Sequence, residues 1–305
     1  MNYNKLMIEF SKMTKYHHGY MAVNFLDGTL LSNSICVYGE EKSGKSSLLR
    51  VLSGVDKATS GSVKINGENP QINKDTYFTF RDGGYLKNKT LKENFSYPLE
   101  IRKVDNYEKI VDSVLEEFDL ESVKNLKPDR LSLEEKARGI IAKIKLRKTD
   151  LLLIDNPFAL LSSEVREQYF KWFLKVISSY EGVVVYATDS KEELRHFDEV
   201  ILLNYGVVKG MGKLKDIMRN PSNLFAYSLF DEPKILSGKL LRDQEKSIFS
   251  CKEGTVDLSQ FEGRFKFAYY LGDCLLAFFG NEDELFSGLN KDFWLFDWNE
   301  NSIID

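Results

Sequence analysis

"ICVYGEEKSGKSSLLRVLSG", residues 35–54, decides the fold. Ile35 to Tyr38 form an apolar run that reads as a buried strand, and Leu48, Leu49, Val51 and Leu52 lie on one helical face. Between them stands Gly39-Glu-Glu-Lys-Ser-Gly44-Lys45-Ser46, the pattern G-x-x-x-x-G-K-[ST] in the strand–loop–helix setting it needs. Gly39 and Gly44 let the backbone curl, so that N–H groups from Glu41, Lys42, Ser43 and Gly44 to Ser47 converge on phosphate oxygens. The helix that starts near Lys45 adds its positive dipole end. Lys45 is placed to reach the terminal phosphates, and the Ser46 hydroxyl to ligate Mg²⁺. Glu40 and Glu41 repel phosphate through their side chains, which solvent can take up while the amides bind.

A second apolar run, "DLLLIDNPFALLS" at 150–162, delivers Asp155 to the carboxyl end of a strand. An acid there holds a metal beside a phosphate. The next residue is Asn156, an amide where hydrolytic chemistry calls for a second carboxylate.

Composition bounds the rest. The chain has 305 residues, 43% hydrophobic and 29% charged, enough for one large domain and a small one. No apolar run approaches the roughly 20 residues that span a bilayer, and "MNYNKLMIEF" has no secretory pattern. Cys36, Cys251 and Cys274, with His17, His18 and His196, show no metal-ligand grouping, and the scattered cysteines suit a reducing compartment. A net charge of −4 gives no reason to expect nucleic acid. Residues 231–305 hold 8 basic and 15 acidic side chains, so the tail is the acidic part of the chain. Pro221 and "DEPK" at 231–234 punctuate the boundary, and "GRFKFAYYLG" and "DFWLFDW" alternate as short strands do. The organisation expected is residues 1–222 as an α/β nucleotide-binding domain, 223–240 as a linker and 241–305 as a small β-rich domain. In "DNYEKIVDSVLEEFDL", Ile110, Val111, Val114, Leu115 and Phe118 share a helical face and read as packing residues.

Four further segments carry a family resemblance: "TSGSVKINGENP", "TFRDGGYLKNKTLKENFSYPLEIR", "LSLEEKARGIIAKIKLRKTDLLLIDNPFALLS" and "VVVYATDSKEELRHFDEVILLNYGVVKGMG". In order and spacing, across about residues 5–220, they resemble the ATP-binding subunit of ABC transporters, most of all the maltose-type sugar importers. In those importers a β-rich regulatory domain follows the cassette, and the terminal "FDWNENSIID" is a weak match to its end. The resemblance implies a P-loop NTPase cassette of the ABC type, with a helical insertion at about 90–148. It also implies ATP and Mg²⁺ as ligands, a second cassette and membrane permease subunits as partners, and a place on the cytoplasmic face of the cell membrane.

Against that family, several positions depart. The glycine-rich signature that clamps a partner's γ-phosphate reads Leu131-Ser132-Leu133-Glu134-Glu135 here, bulkier and more acidic. The same residues also read as an ordinary helix N-terminus, with acids complementing its dipole. Asn156 aligns with the glutamate that activates water, Thr188 with the switch histidine, Arg81 with a glutamine that senses metal, and Ser162 with an aspartate of the loop between subunits. Arg81 has no acceptor and cannot ligate a metal, though it attracts phosphate. Tyr16 stands about where the family stacks a ring on adenine, the alternative being a strand residue packed in the sheet. The expectation is a degenerate cassette that binds nucleotide at Lys45, Ser46 and Asp155 and hydrolyses it weakly or not at all. The alternative is a nucleotide-dependent scaffold or regulator with no role in transport.

Overall fold

The computed structural model describes residues 6–229 apart from 18, 73–74 and 220–222, and beyond them the backbone of the strands between 235 and 304. The chain divides into two compact units, 1–215 and 216–305.

Unit 1 opens with β1 (Ile8–His17) and β2 (Tyr20–Leu30), an antiparallel pair, then β3 (Ser34–Tyr38), the phosphate-loop sequence and α1 (Lys45–Leu52). β4 (Ser60–Ile65) returns to pair with β1, and β5 (Thr76–Thr79) follows. The helical insertion comes next: α2 (Leu91–Ile101), α3 (Tyr107–Glu117) and α4 (Leu133–Lys145). β6 (Leu151–Asp155), α5 (Ser163–Ile177), β7 (Val183–Thr188), α6 (Lys191–Leu194), β8 (Glu199–Asn204) and β9 (Val207–Lys213) complete the unit. The nine strands form one sheet in the order β4-β1-β2-β9-β8-β3-β7-β6-β5.

Sequence explains the centre of this sheet. All of β6, LLLID, and all of β7, VVVYAT, is buried, as expected of parallel strands covered on both faces. On one face Val183, Val185 and Ala187 join Leu48, Leu49 and Leu52 of α1 and Ile35 and Val37 of β3 in the main core. On the other face Tyr186 stacks on Phe173 of α5 with ring centroids 5.1 Å apart, and Phe158 meets Phe173 edge-on at 6.2 Å. β5, β6, β7 and β3 run parallel, with Thr79 beside Ile154, Asp155 beside Ala187, and Tyr38 beside Thr188. Four carboxyl ends therefore share one edge, which is where ligands bind in open α/β sheets.

Within the insertion Val111, Val114, Leu115 and Phe118 are buried, and Phe118 stacks on Trp172 of α5 at 4.8 Å. Ile110, expected on the same face, is 39% exposed, because it lies at the flank of the stripe rather than its centre.

The division falls within α7 (Leu214–Arg219), after which unit 2 holds α8 (Leu224–Tyr227) and strands β10 (Ile235–Asp243), β11 (Lys246–Cys251), β12 (Gly254–Asp257), β13 (Phe265–Leu271), β14 (Asp273–Phe279), β15 (Leu285–Leu289), β16 (Leu295–Asp297) and β17 (Ser302–Ile304). They form a second sheet, β12-β11-β10-β15-β14-β13-β16-β17. The 223–240 stretch is not wholly a linker. α8 occupies part of it, and β10 begins at Ile235 because its backbone is ladder-bonded, pairing Gly238 with Cys251 and Lys239 with Ser250 in β11. Pro221 and "DEPK", like the side chains of the aromatic tail, lie outside the described residues.

Phe173 is fully buried among Phe158, Phe170 and Tyr186. Phe173→Ala should destabilise unit 1 by about 3–5 kcal/mol. In urea this is a lower unfolding midpoint, and an unmoved midpoint would contradict the packing described.

Candidate functional site

A cleft of about 770 Å³ opens at the shared carboxyl edge. The phosphate loop forms its floor through Glu41, Lys42, Ser43, Gly44, Lys45, Ser46 and Ser47. Gly44 sits at φ 106°, and a Cβ there would lie 1.8 Å from the Ala22 carbonyl oxygen, so only glycine lets the loop pass. Gly39 is similarly confined, with the Leu203 carbonyl 2.3 Å from its notional Cβ. The loop is pinned from outside by two backbone bonds: Gly39 N–H donates to the Thr188 carbonyl at 3.2 Å, and Gly206 N–H to the Ser43 carbonyl at 3.0 Å.

Lys45 is buried, and its ammonium donates to the carbonyls of Gly39 and of Glu40, the latter at 2.7 Å, and to Ser43 Oγ at 3.3 Å. Burial lowers its pKa, Arg81 adds to the lowering, and Asp189 and Asp155 oppose it. Glu41 and Lys42 are exposed, so the two charges nearest the loop's crown are carried in water. Asp155, at the end of β6, is 6% exposed. Burial raises its carboxyl, offset in part by a bond from the Ser46 hydroxyl and by the charges of Lys45 and Arg81. A hydroxyl and a carboxylate side by side are hard oxygen donors, and they suit a hydrated Mg²⁺ that shares phosphate oxygens.

The structure redistributes the remaining expected residues. Arg81, two positions beyond β5, lines the cleft, and its guanidinium lies 3.9 Å from the Glu41 carboxylate. Tyr16 does not line it. The residue is 48% exposed on β1, while His17, Tyr20, Met21, Ala22 and Tyr205 form the wall beside the loop. Across the β1–β2 pair Tyr16 stands opposite Met21 and His17 opposite Tyr20. Ser132 caps α4: its hydroxyl accepts from Glu135 N–H at 3.2 Å and its own N–H donates to the Glu135 carboxylate at 2.7 Å. Glu134 accepts a bond from the Tyr169 hydroxyl at 3.2 Å, and Leu133 is 47% exposed. Within this chain, 131–135 thus does the work of a helix N-terminus. Ser162 stands at the N-cap of α5 without a side-chain cap bond.

Thr188 is fully buried, not on the cleft. Its hydroxyl donates to the Glu193 carboxylate and accepts from Arg166 at 2.9 Å and from Ser190 N–H at 3.0 Å. The reason is Arg166, which sequence reading missed. From α5 its guanidinium donates to Glu193 Oε1 at 2.8 Å and to Asn156 Oδ1 at 3.1 Å, and pairs with Asp189 Oδ1 at 2.8 Å. Asn156 in turn donates from Nδ2 to Asp189 Oδ2 at 2.9 Å. Burial opposes the charge of Arg166, yet Glu193 and Asp189 more than compensate and raise its pKa. Burial would raise Asp189, but Arg166 and the Asn156 amide outweigh it and hold that carboxyl below its usual value. Both ends of the Asn156 amide are engaged, one giving to an anion and one receiving from a cation. Only a neutral donor–acceptor fits both neighbours.

At this edge the comparisons with known proteins become informative. Residues 32–159 match the family model described as "ABC transporter". A dimeric bacterial ABC transporter cassette superposes with a TM-score of 0.59 and 25% identity, covering 68% of this chain and 98% of that one. A dimeric ATP-binding cassette in a post-hydrolysis state with ADP and Pi superposes equally, at 0.59 and 24% identity. The fold is that of an ABC-type cassette. Among curated relatives, the "Sulfate/thiosulfate import ATP-binding protein CysA" of Mesostigma viride is 27% identical over 73% of this chain and 67% of its own length. That of Mycobacterium tuberculosis is 28% identical over 76% and 68%. These relatives carry sulfate/thiosulfate-import names, not the maltose-type sugar-importer names that the sequence resemblance led one to expect.

The cassette's Arg81-bearing turn is anchored from α4. Lys143, 5% exposed, donates to the carbonyls of Gly83 at 2.9 Å and Gly84 at 3.3 Å and lies 4.4 Å from the Tyr85 ring centroid. Burial, with Arg147 adding, lowers its pKa from 10.5 to about 7, and Asp82 opposes them. A lysine depressed on folding takes up protons on unfolding between those two values, so stability rises with pH from about 7 toward 10.5. Thermal unfolding of the full chain should show that rise, and Lys143→Met should flatten it. A slope unchanged in the variant would assign the pH dependence to other groups.

Proposed function

We propose that this chain is the ATP-binding subunit of an ABC importer, one that captures Mg-ATP and cleaves it slowly. In this reading it pairs with a second cassette and docks on membrane permease subunits at the cytoplasmic face of the membrane. Capture rests on the loop amides, Lys45, Ser46 and Asp155, all lining one cleft. Mg²⁺, when bound, supplies Lewis-acid stabilisation of phosphoryl oxygens. The chain's own residues hold the phosphates and exclude water from them. Tyr20 and Tyr205, rather than Tyr16, are the tyrosine rings of the cleft wall and take the adenine contact.

The observation that carries the slow-cleavage reading is the state of residue 156. An amide accepts no proton from water, and this one is tied to Asp189 and Arg166. Loss of a general base costs about 10²–10⁴-fold in rate. Asp189 offers no substitute, since Arg166 and Asn156 stabilise its ionised form and weaken it as a base. Thr188 is sequestered by Glu193.

The importer role is supported by relatives whose names include "import ATP-binding protein". The solute is selected by other subunits, and the resemblance to sugar importers and the sulfate/thiosulfate names of the relatives share the same cassette role. Recovery of the tagged chain from detergent extract with integral-membrane subunits supports transport, and recovery only with soluble proteins would favour a regulatory scaffold.

Nucleotide titration beside steady-state phosphate release separates capture from cleavage. The expected result is saturable ATP binding, abolished by Lys45→Ala, with little release. Asn156→Glu should raise release by less than about tenfold, against the 10²–10⁴-fold a working base supplies, because the new carboxylate meets Asp189 and is taken up by Arg166. Rapid turnover by the unaltered chain would overturn the proposal.

A further inference from the structure

The geometry points to Arg81 as a phosphate-binding residue that lets the cleft hold a nucleoside triphosphate without a divalent metal. The inference rests on the reading of this cleft as a nucleotide site and goes beyond it by changing what neutralises the phosphates.

Three features place Arg81. β5 pairs in parallel with β6, Thr79 beside Ile154, so the chain leaving β5 emerges next to Asp155 at the cleft edge. The turn that follows is held tightly: Gly83 N–H donates to the Phe80 carbonyl at 2.8 Å, Gly84 N–H to Asp82 Oδ1 at 3.0 Å, and Lys143 grips the carbonyls of Gly83 and Gly84. The guanidinium then lines the cleft with Lys45, Ser46 and Asp155, and its carboxylate neighbour is Glu41 at 3.9 Å. That pair is loose. The Arg81 and Glu41 side chains are 46% and 75% exposed, so exchanging the carboxylate for phosphate costs little.

The chemistry favours phosphate over metal. A guanidinium carries five donors in a planar fork and no acceptor, so it cannot ligate a cation and repels one. Two of its N–H groups match two oxygens of one phosphate. Where an amide side chain would recruit a metal, Arg81 brings a fixed positive charge of its own, beside the ammonium of Lys45. Asp155 meanwhile is bonded by Ser46 and faces two cations, Lys45 and Arg81. Metal remains compatible with Ser46 and Asp155, but it is no longer the sole counter-charge at the far end of the polyphosphate.

The test is equilibrium binding of a fluorescent ATP analogue to the purified full chain, at constant ionic strength, in Mg²⁺ and in EDTA. The unaltered protein should lose less than about tenfold in affinity when Mg²⁺ is removed. Arg81→Gln should weaken binding in both conditions, but by about 10–100-fold more in EDTA than in Mg²⁺, the value of one charge-assisted contact no longer backed by the metal. Arg81→Lys should recover part of that loss, since it restores charge but not the fork. Binding by the unaltered chain that collapses in EDTA overturns the inference while leaving the nucleotide site intact, as does an Arg81→Gln variant that weakens equally in both conditions. Absence of binding in either condition removes the nucleotide reading itself.

Discussion

The parallel register of β5, β6, β7 and β3 is the constraint on which the site depends. It brings the ends of four buried strands to one edge, with Tyr38 against Thr188 and Asp155 against Ala187. The phosphate loop after β3, Asp155 and Asn156 at β6, Asp189 after β7 and Arg81 after β5 are all attached to those ends. The register is enforced by burial on both faces, since a shift would change which side chains meet α1 and which meet α5. A packing requirement at the centre thus becomes a positional requirement at the edge.

A second constraint is set by charge. Arg166 and Glu193 are largely withdrawn from water, with side-chain exposures of 16% and 3%. A buried pair of this kind persists only when its remaining donors and acceptors are satisfied. The structure satisfies them with Thr188, Tyr186, Asn156 and Asp189, and the Tyr186 hydroxyl reaches Glu193 at 3.0 Å. Asn156, Thr188 and Asp189 are thus members of a structural ionic cluster around Arg166.

The phosphate loop was legible because its chemistry demands local spelling: two glycines, a lysine and a hydroxyl at fixed spacing after a strand. Asp155 was legible as the end of an apolar run, and the fold followed from motif order. Arg166 was not legible, because its partners are 10, 22, 23 and 27 residues away and meet only through the packing of α5 on β7. Tyr16 was read from alignment, whereas His17, Tyr20, Met21, Ala22 and Tyr205 form the wall beside the loop. Tyr205 lies in the "NYG" turn after β8. The bond from Gly206 to Ser43 that carries this turn to the loop joins residues far apart in sequence. What the sequence conveyed was chemistry with short-range grammar, and what it withheld was chemistry assembled across the sheet.

Capture and cleavage are separable in this fold because they make opposite demands on their residues. Capture uses backbone amides and fixed cations, which lose nothing by being pinned. Gly39 and Gly44 are constrained by the carbonyls of Leu203 and Ala22, and pinning preorganises them for phosphate. Cleavage needs a base that is held in place yet still holds its proton-accepting lone pair free for water. Arg166 draws the acceptor at position 156 toward its guanidinium, and an amide satisfies both Arg166 and Asp189 where a carboxylate satisfies only one.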